Sequence, residues 1–301
     1  DVSVPDLTEL VARVRNEHPM IASGLIKSDD PHRSSAEDAL AYIAKLPSTT
    51  DGLSHAIEAF AITSVEFLRL QARFRQTGQY ALPTAAALYD ELYGDAEEMA
   101  GYYLDGLAMT YALWPNHARL LSFLRDDFVP QLPNRGTVLE IGPGHGLLGH
   151  TVLRHRPAIS YVGLDISGPA LDYVRAAFDI WGHSGSYELI EGDATDLAAA
   201  DIPIDVDALV CCEVLEHVDE PERILAAIRD RLAPDGLGFL STVANLEAID
   251  HVYLFDNPEH IRQTIETAGL TIEQDLPMRL PGDTSSERIP YNYAAIVRRR
   301  A

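Results

Sequence analysis

Two short stretches of this 301-residue chain concentrate side chains that bind metals and protons. In CCEVLEHVDEP, Glu213, Glu216 and His217 stand three and four positions apart, so a helical turn would place them on one face. Further on, NLEAIDHVYLFDNPEH carries Asp250 and His251. Carboxylate oxygens and imidazole nitrogens together hold Mg²⁺, Mn²⁺, Fe²⁺ or Zn²⁺, and ligand type alone does not choose among them. The alternative is that EVLEHV only opens a helix, its histidine capping or bonding locally.

A third stretch, VLEIGPGHGLLG, reads as a buried strand entering a glycine-rich turn and then a helix. Gly144, Gly146 and Gly149 satisfy GxGxxG, a weak signal by itself. Such a turn lets backbone approach a ligand, and the helix start offers unpaired N–H groups to a carboxylate or phosphate. A dinucleotide and an aminoacyl nucleoside would both fit. The next strand ends discriminate. Asp165 follows Gly144 by 21 residues, where a carboxylate accepts from both ribose hydroxyls. Asp193, in EGDAT, could accept from an adenine amino group. Glu140, Asp165 and Asp193 at three successive strand tips would surround a cationic adenosyl ligand, whereas a pyrophosphate gains nothing from that ring.

From residue 137, short apolar runs alternate with helical segments, which predicts a parallel sheet with helices on both faces. TVLEI, YVGLDI, SYELIEGD, DALVCCEV and GLGFLSTV are the first five strands. LTIEQDL and YNYAAIVRR close the chain as an antiparallel hairpin at one sheet edge. Up to residue 132 the apolar spacing is helical. Asp6 with Glu9, and Ser35 with Asp38, mark helix starts; Gly78 marks a stop; Pro83 and Gly94 bracket a further helix. Pro130 and Pro133 mark the boundary, so we expect a helical domain over 1–132 and a ligand-binding α/β domain over 133–301. The helical part would cover the pocket, shape substrate choice and pair subunits into a homodimer. Its aromatics Tyr102, Tyr103, Tyr111 and Trp114 read as interdomain packing, with His117 a second candidate base.

The 23 Lys and Arg against 46 Asp and Glu give a net charge of −23, which repels nucleic acid and favours a small-molecule substrate. Arg298–Arg300 reads as a frayed, solvated tail. The chain has no apolar run of about 18 residues, so no membrane span is expected, and its N-terminus lacks secretory-signal character. With adjacent Cys211 and Cys212 read as buried thiols, a cytoplasmic location is expected.

Over roughly residues 134–298 the sequence resembles the class I S-adenosylmethionine-dependent methyltransferases, through VLEIGPGHG, the acid of GLDIS, GDATD and DALVCCEVLEHVDEPERILAAIRDRLAPDGLGFLST. The resemblance implies a Rossmann-like seven-stranded sheet preceded by the helical domain. It also implies that Glu140, Gly142, Gly144 and His145 hold the amino acid end of S-adenosylmethionine, Asp165 and Ile166 the ribose, Asp193 and Ala194 the adenine, with Glu213 facing the same ligand. ExxEH followed by a later histidine is similar to the metal site of plant small-RNA 2′-O-methyltransferases, and related sequences occur in ubiquinone-pathway O-methyltransferases. That likeness implies Glu213, Glu216, His217 and His251 as ligands of a divalent metal, with Glu213, His217 and His251 serving catalysis on a diol or catechol-like hydroxyl. Asp250, His217 and His251 form a second ligand set, resembling metal-assisted C-methyltransferases of α-keto acids. An N-methyltransferase, an NAD-dependent oxidoreductase and a non-catalytic adenosyl-binding protein are the remaining alternatives.

Overall fold

The computed structural model describes residues 5–49, 52–81, 84–88, 92–93, 99–197, 202, 204–280 and 288–300. The strands are β1 (Gly136–Ile141), β2 (Ile159–Asp165), β3 (Tyr187–Glu191), β4 (Val206–Cys212), β5 (Leu232–Ala244), β6 (Leu270–Arg279) and β7 (Tyr291–Arg299). They form one sheet in the order β3-β2-β1-β4-β5-β7-β6. The first five run parallel, and β7 lies antiparallel between β5 and β6. The α/β fold expected from the alternation is therefore present, including the closing hairpin. Strand order reverses between β1 and β4, and in open sheets of this kind ligands bind beyond the strand ends at such a switch point.

Strand alternation divides the apolar side chains between two faces. Leu139, Ile141, Leu209, Cys211 and Leu240 pack with Ile224, Leu225 and Ile228 of the helix Pro221–Arg231 and with Ile261 and Ile265 of the helix Pro258–Thr267. Val138, Ala208, Val210, Cys212, Phe239 and Ile296 join a cluster that also contains Leu40, Phe60, Met109, Leu113, Leu121 and Phe128 from the helices before residue 132. Phe239 sits 5.5 Å from the Phe123 ring and 5.3 Å from that of Phe128. One hydrophobic core thus runs across residue 132, and the early helices are a layer on the sheet.

Local signals account for most helix ends. The Asp6 side chain accepts from the Thr8 and Glu9 N–H groups, and left-handed Gly78 ends the helix Ser54–Thr77. The start expected at Ser35 is a correction. That helix runs Arg33–Ile43, because Asp30 accepts from the His32 N–H and sets the first turn earlier, leaving Ser35 buried inside it. Asp38 instead pairs with Arg125 at 2.7 Å. The frayed tail is a second correction: Arg298 and Arg299 belong to β7, paired with Leu237 and Leu270, and the Arg300 N–H donates to Gly269. Of the helix placed between Pro83 and Gly94, Ala85–Leu88 is helical, while Pro83, residues 89–91 and residues 94–98, Gly94 among them, lie outside the described residues. Cys211 and Cys212 are buried and unpaired. Among the described residues no helix is long and apolar enough to cross a membrane.

Candidate cofactor and metal site

A cavity of about 590 Å³ opens at the switch point, walled by the turns after β1, β2, β3 and β4 and by the helical layer. The turn after β1 needs its glycines. Gly142 and Gly144 have φ of +66° and +51°. A Cβ on Gly142 would lie 2.6 Å from Val214, whereas one on Gly144 would have nothing nearer than 3.9 Å, so that backbone faces open space at the cavity wall. The helix Leu147–His155 follows directly. These features suit the close approach of a small ligand to backbone.

Asp165 lines the cavity and accepts from the Ser167 N–H at 2.9 Å and from the Gly144 and Ile166 amides. Burial lifts its carboxyl to about 6 despite these bonds. Ile166, Asp193 and Ala194 share the wall, with Asp193 Oδ1 accepting from the Thr195 N–H and hydroxyl, both at 2.7 Å. Glu140 does not share it. On the opposite strand face from Leu139 and Ile141, it is 1% exposed, accepts from the Tyr161 hydroxyl at 2.5 Å and from the Gly149 N–H, and is pushed by burial to about 8. The expected ring of three strand-tip acids therefore contributes two carboxylates to the cavity wall. Pleating turned the third away.

His145 lines the cavity with its Nδ1 accepting from the Leu147 N–H at 3.3 Å, which leaves Nε2 as the protonated nitrogen. The Tyr111 ring lies 5.1 Å from it. Tyr102, Tyr103, Tyr111, Trp114 and His117 all line the cavity, while Tyr111 and Trp114 also pack in the core shared by the early helices and the sheet, as their packing reading expected. The Thr110 hydroxyl donates to the Leu107 carbonyl at 2.6 Å and so accepts from His117 Nδ1, also 2.6 Å away. His117 Nε2 is then a bare acceptor, but burial lowers this imidazole to about 3, making it a feeble base.

The acidic cluster after β4 does not form the expected helical face. Glu213 is left-handed, with φ of +51°, and only Leu215–His217 forms a short 3₁₀ turn. The donor atoms that converge are those of Glu216, His217 and His251, all within 4.8 Å of one another. Glu213 lies outside that group but lines the same cavity; it accepts from Ser241 Oγ at 2.7 Å and from Asn292 Nδ2 at 3.4 Å. Burial lifts it to about 7.

Two of the converging donors are held at the far end and bare at the near end. Glu216 is fully buried; its Oε2 accepts from the Thr242 hydroxyl at 2.6 Å, while Oε1 has no hydrogen-bond partner among the described residues. Desolvation of that carboxylate raises its pKa well above the ordinary range. His251 Nδ1 lies 2.6 Å from the Leu246 carbonyl, which can only accept, so Nδ1 carries the proton and Nε2 a lone pair. An outer partner fixing each ligand's orientation is the usual construction around a metal, and a cation would satisfy the orphaned oxygen. His217 Nε2 is 4.0 Å from Glu216 Oε1 and 3.3 Å from Asp250 Oδ2. Asp250 is buried, yet His217 and His251 hold its carboxyl below the usual range. Its Oδ2 also accepts from the Tyr103 hydroxyl, so Glu216 is the less committed carboxylate. Sequence reasoning gave no role to Tyr93, Ser241, Thr242 and Asn292: Ser241 and Thr242 end the GLGFLST run without any residue there being singled out, and Tyr93 and Asn292 carry no motif, so only the fold brings them here.

Residues 139–237 match a family model described as a methyltransferase domain. A 106-residue stretch is 37% identical to the ubiquinone biosynthesis O-methyltransferase of Thiobacillus denitrificans, covering 35% of this chain and 44% of that protein. The chain thus spans less than half the length of that relative. Among solved structures, the mitomycin 7-O-methyltransferase MmcR superposes with a TM-score of 0.56 at 17% identity, over 98% of this chain and 88% of that one. The [4+2]-cyclase SpnF does so with 0.51 at 14%, over 81% and 96%. At such identities the likeness concerns the fold, and the two names differ in chemistry. Over residues 139–237, beginning inside β1 and ending inside β5, this chain carries a methyltransferase domain.

Proposed function

We propose that the protein is an S-adenosylmethionine-dependent methyltransferase that methylates a hydroxyl of a small diol or catechol-like acceptor, aided by a divalent cation at Glu216, His217 and His251. The observation that carries this reading is a single cavity walled by the glycine turn, Asp165 and Asp193 and by His217 and His251, with the buried Glu216 carboxyl behind them within 4.8 Å of both. The relative's O-methyltransferase name supports oxygen as the acceptor atom.

S-adenosylmethionine supplies an electrophilic methyl, so the protein's task is alignment and a competent nucleophile. The Gly142–Gly144 backbone and His145 would take the amino acid end, Asp165 the ribose hydroxyls, and Asp193 with Ala194 the adenine edge. A cation held by Glu216, His217 and His251 would supply Lewis acidity toward an aliphatic or phenolic hydroxyl. Glu213, which lines the cavity and accepts from Ser241 and Asn292, would receive the acceptor's proton. Phe67, Tyr102, Tyr111 and Trp114 also line the cavity and would give an acceptor an aromatic, apolar wall.

The test is transfer of a radiolabelled methyl from S-adenosylmethionine to a catechol, with Mg²⁺ and with a chelator, alongside calorimetry with S-adenosylmethionine and with NAD. Chelator-sensitive labelling and adenosyl binding are expected. Tight NAD binding without adenosyl binding would end the methyltransferase reading.

A further inference from the structure

One residue of the helical segment touches both halves of the cavity. The Tyr93 carbonyl accepts from the Ser167 hydroxyl at 2.8 Å, two positions beyond Asp165, and the Tyr93 hydroxyl lies 2.9 Å from His217 Nδ1 and 3.4 Å from Asp250 Oδ2. The Tyr103 hydroxyl donates to the same Asp250 oxygen. Tyr93 has one hydroxyl proton and two acceptors within reach. If that proton turns to the Asp250 carboxylate, which as an anion only accepts, then His217 Nδ1 must carry its own proton and donate it to the Tyr93 oxygen. Nε2 is then left with a lone pair. That nitrogen lies 3.3 Å from Asp250 Oδ2 and 4.0 Å from Glu216 Oε1 and belongs with the donors of His251, so a cation among them would offset the repulsion between its lone pair and the Asp250 carboxylate. Phenylalanine at position 93 could not accept this proton, and the imidazole would be free to rotate or to protonate Nε2 toward Asp250.

We propose that Tyr93 is a positioning residue, fixing His217 in the tautomer and orientation that offer Nε2 to a divalent cation. Its backbone bond to Ser167 ties that ring to the strand tip that carries Asp165. The helical segment thereby completes the cation site as well as covering it. This inference rests on the cation reading above.

The test is calorimetric titration of Mn²⁺ into the full chain and its Tyr93→Phe variant, with nitrogen-15 histidine spectra of the Zn²⁺-loaded protein. Loss of an outer partner of this kind weakens metal binding by roughly 10- to 100-fold, and that loss is expected for Tyr93→Phe. The unmutated protein should show His217 protonated on Nδ1. Equal Mn²⁺ affinity in the two proteins would overturn the role of Tyr93 while leaving the cation site standing. No Mn²⁺ uptake by the unmutated protein would remove the cation site and this inference with it. Should Tyr93→Phe not fold, the spectra of the unmutated protein decide, since His217 protonated on Nε2 in the Zn²⁺-loaded state contradicts the assignment.

Discussion

Replacing Glu140 with glutamine should change how stability depends on pH. Burial raises this carboxyl from 4.5 to about 8, against the opposing bond from Tyr161. A raised folded-state value means that the folded protein binds the proton more tightly than the unfolded chain does. The associated stability is complete below pH 4.5, falls as pH rises, and is gone above about 8. Each pKa unit corresponds to about 1.36 kcal/mol, so the full span of about 3.5 units is worth about 5 kcal/mol, and the fall from 4.5 to pH 7 about 3 kcal/mol. Glutamine keeps an acceptor for the Tyr161 hydroxyl but cannot ionise; misplacing its amide beside the Gly149 N–H would cost about 1 kcal/mol at every pH. Urea unfolding at pH 5, 6, 7 and 8 should therefore give curves for Glu140→Gln that diverge upward from those of the parent protein as pH rises. Parallel dependence on pH would refute the assignment of a protonated, buried Glu140. Since the side chain lies off the cavity wall, affinity for S-adenosylmethionine should change less than about threefold, an energy below 1 kcal/mol.

Glu216→Gln should weaken Mn²⁺ binding more than tenfold while leaving S-adenosylmethionine binding intact, both by calorimetry; unchanged Mn²⁺ affinity would exclude Glu216 as a ligand. Glu213→Ala should keep Mn²⁺ but lose methyl transfer, because its oxygens lie outside the converging donors; loss of the metal would restore it as a ligand. Asp165→Ala should weaken S-adenosylmethionine binding about 10- to 150-fold, the worth of a charge-assisted hydrogen bond of about 1.5–3 kcal/mol, measured by the same titration. Phe239→Ala, emptying a fully buried position between Phe123 and Phe128, should destabilise the protein by about 3–5 kcal/mol in urea unfolding.

The sheet was legible because strand alternation and strand length leave a local trace: each of the seven apolar runs became a strand. Asp165, Asp193 and the glycine turn were legible for the same reason, since a residue at a strand tip has its place set by the strand. Glu140 was misplaced because the pattern locates a tip but not the face on which a side chain emerges. Glu213 was grouped with Glu216 and His217 on helical spacing, and its left-handed backbone broke that spacing. Tyr93 and Asn292 reach the site across more than seventy positions of sequence from His217 and Glu213, respectively, and only tertiary packing specifies such contacts. The Ser35 start failed because a competing Asp30 turn lay a few residues upstream.

The hydrophobic core that runs across residue 132 binds specificity to folding. Exchanging the early helices wholesale for another set would strip one side of the sheet of its cover, so under the proposed reading a new acceptor preference would come from single replacements at the cavity wall, such as Phe67 or Trp114. A cut at residue 132 should yield not a smaller enzyme but an aggregating one.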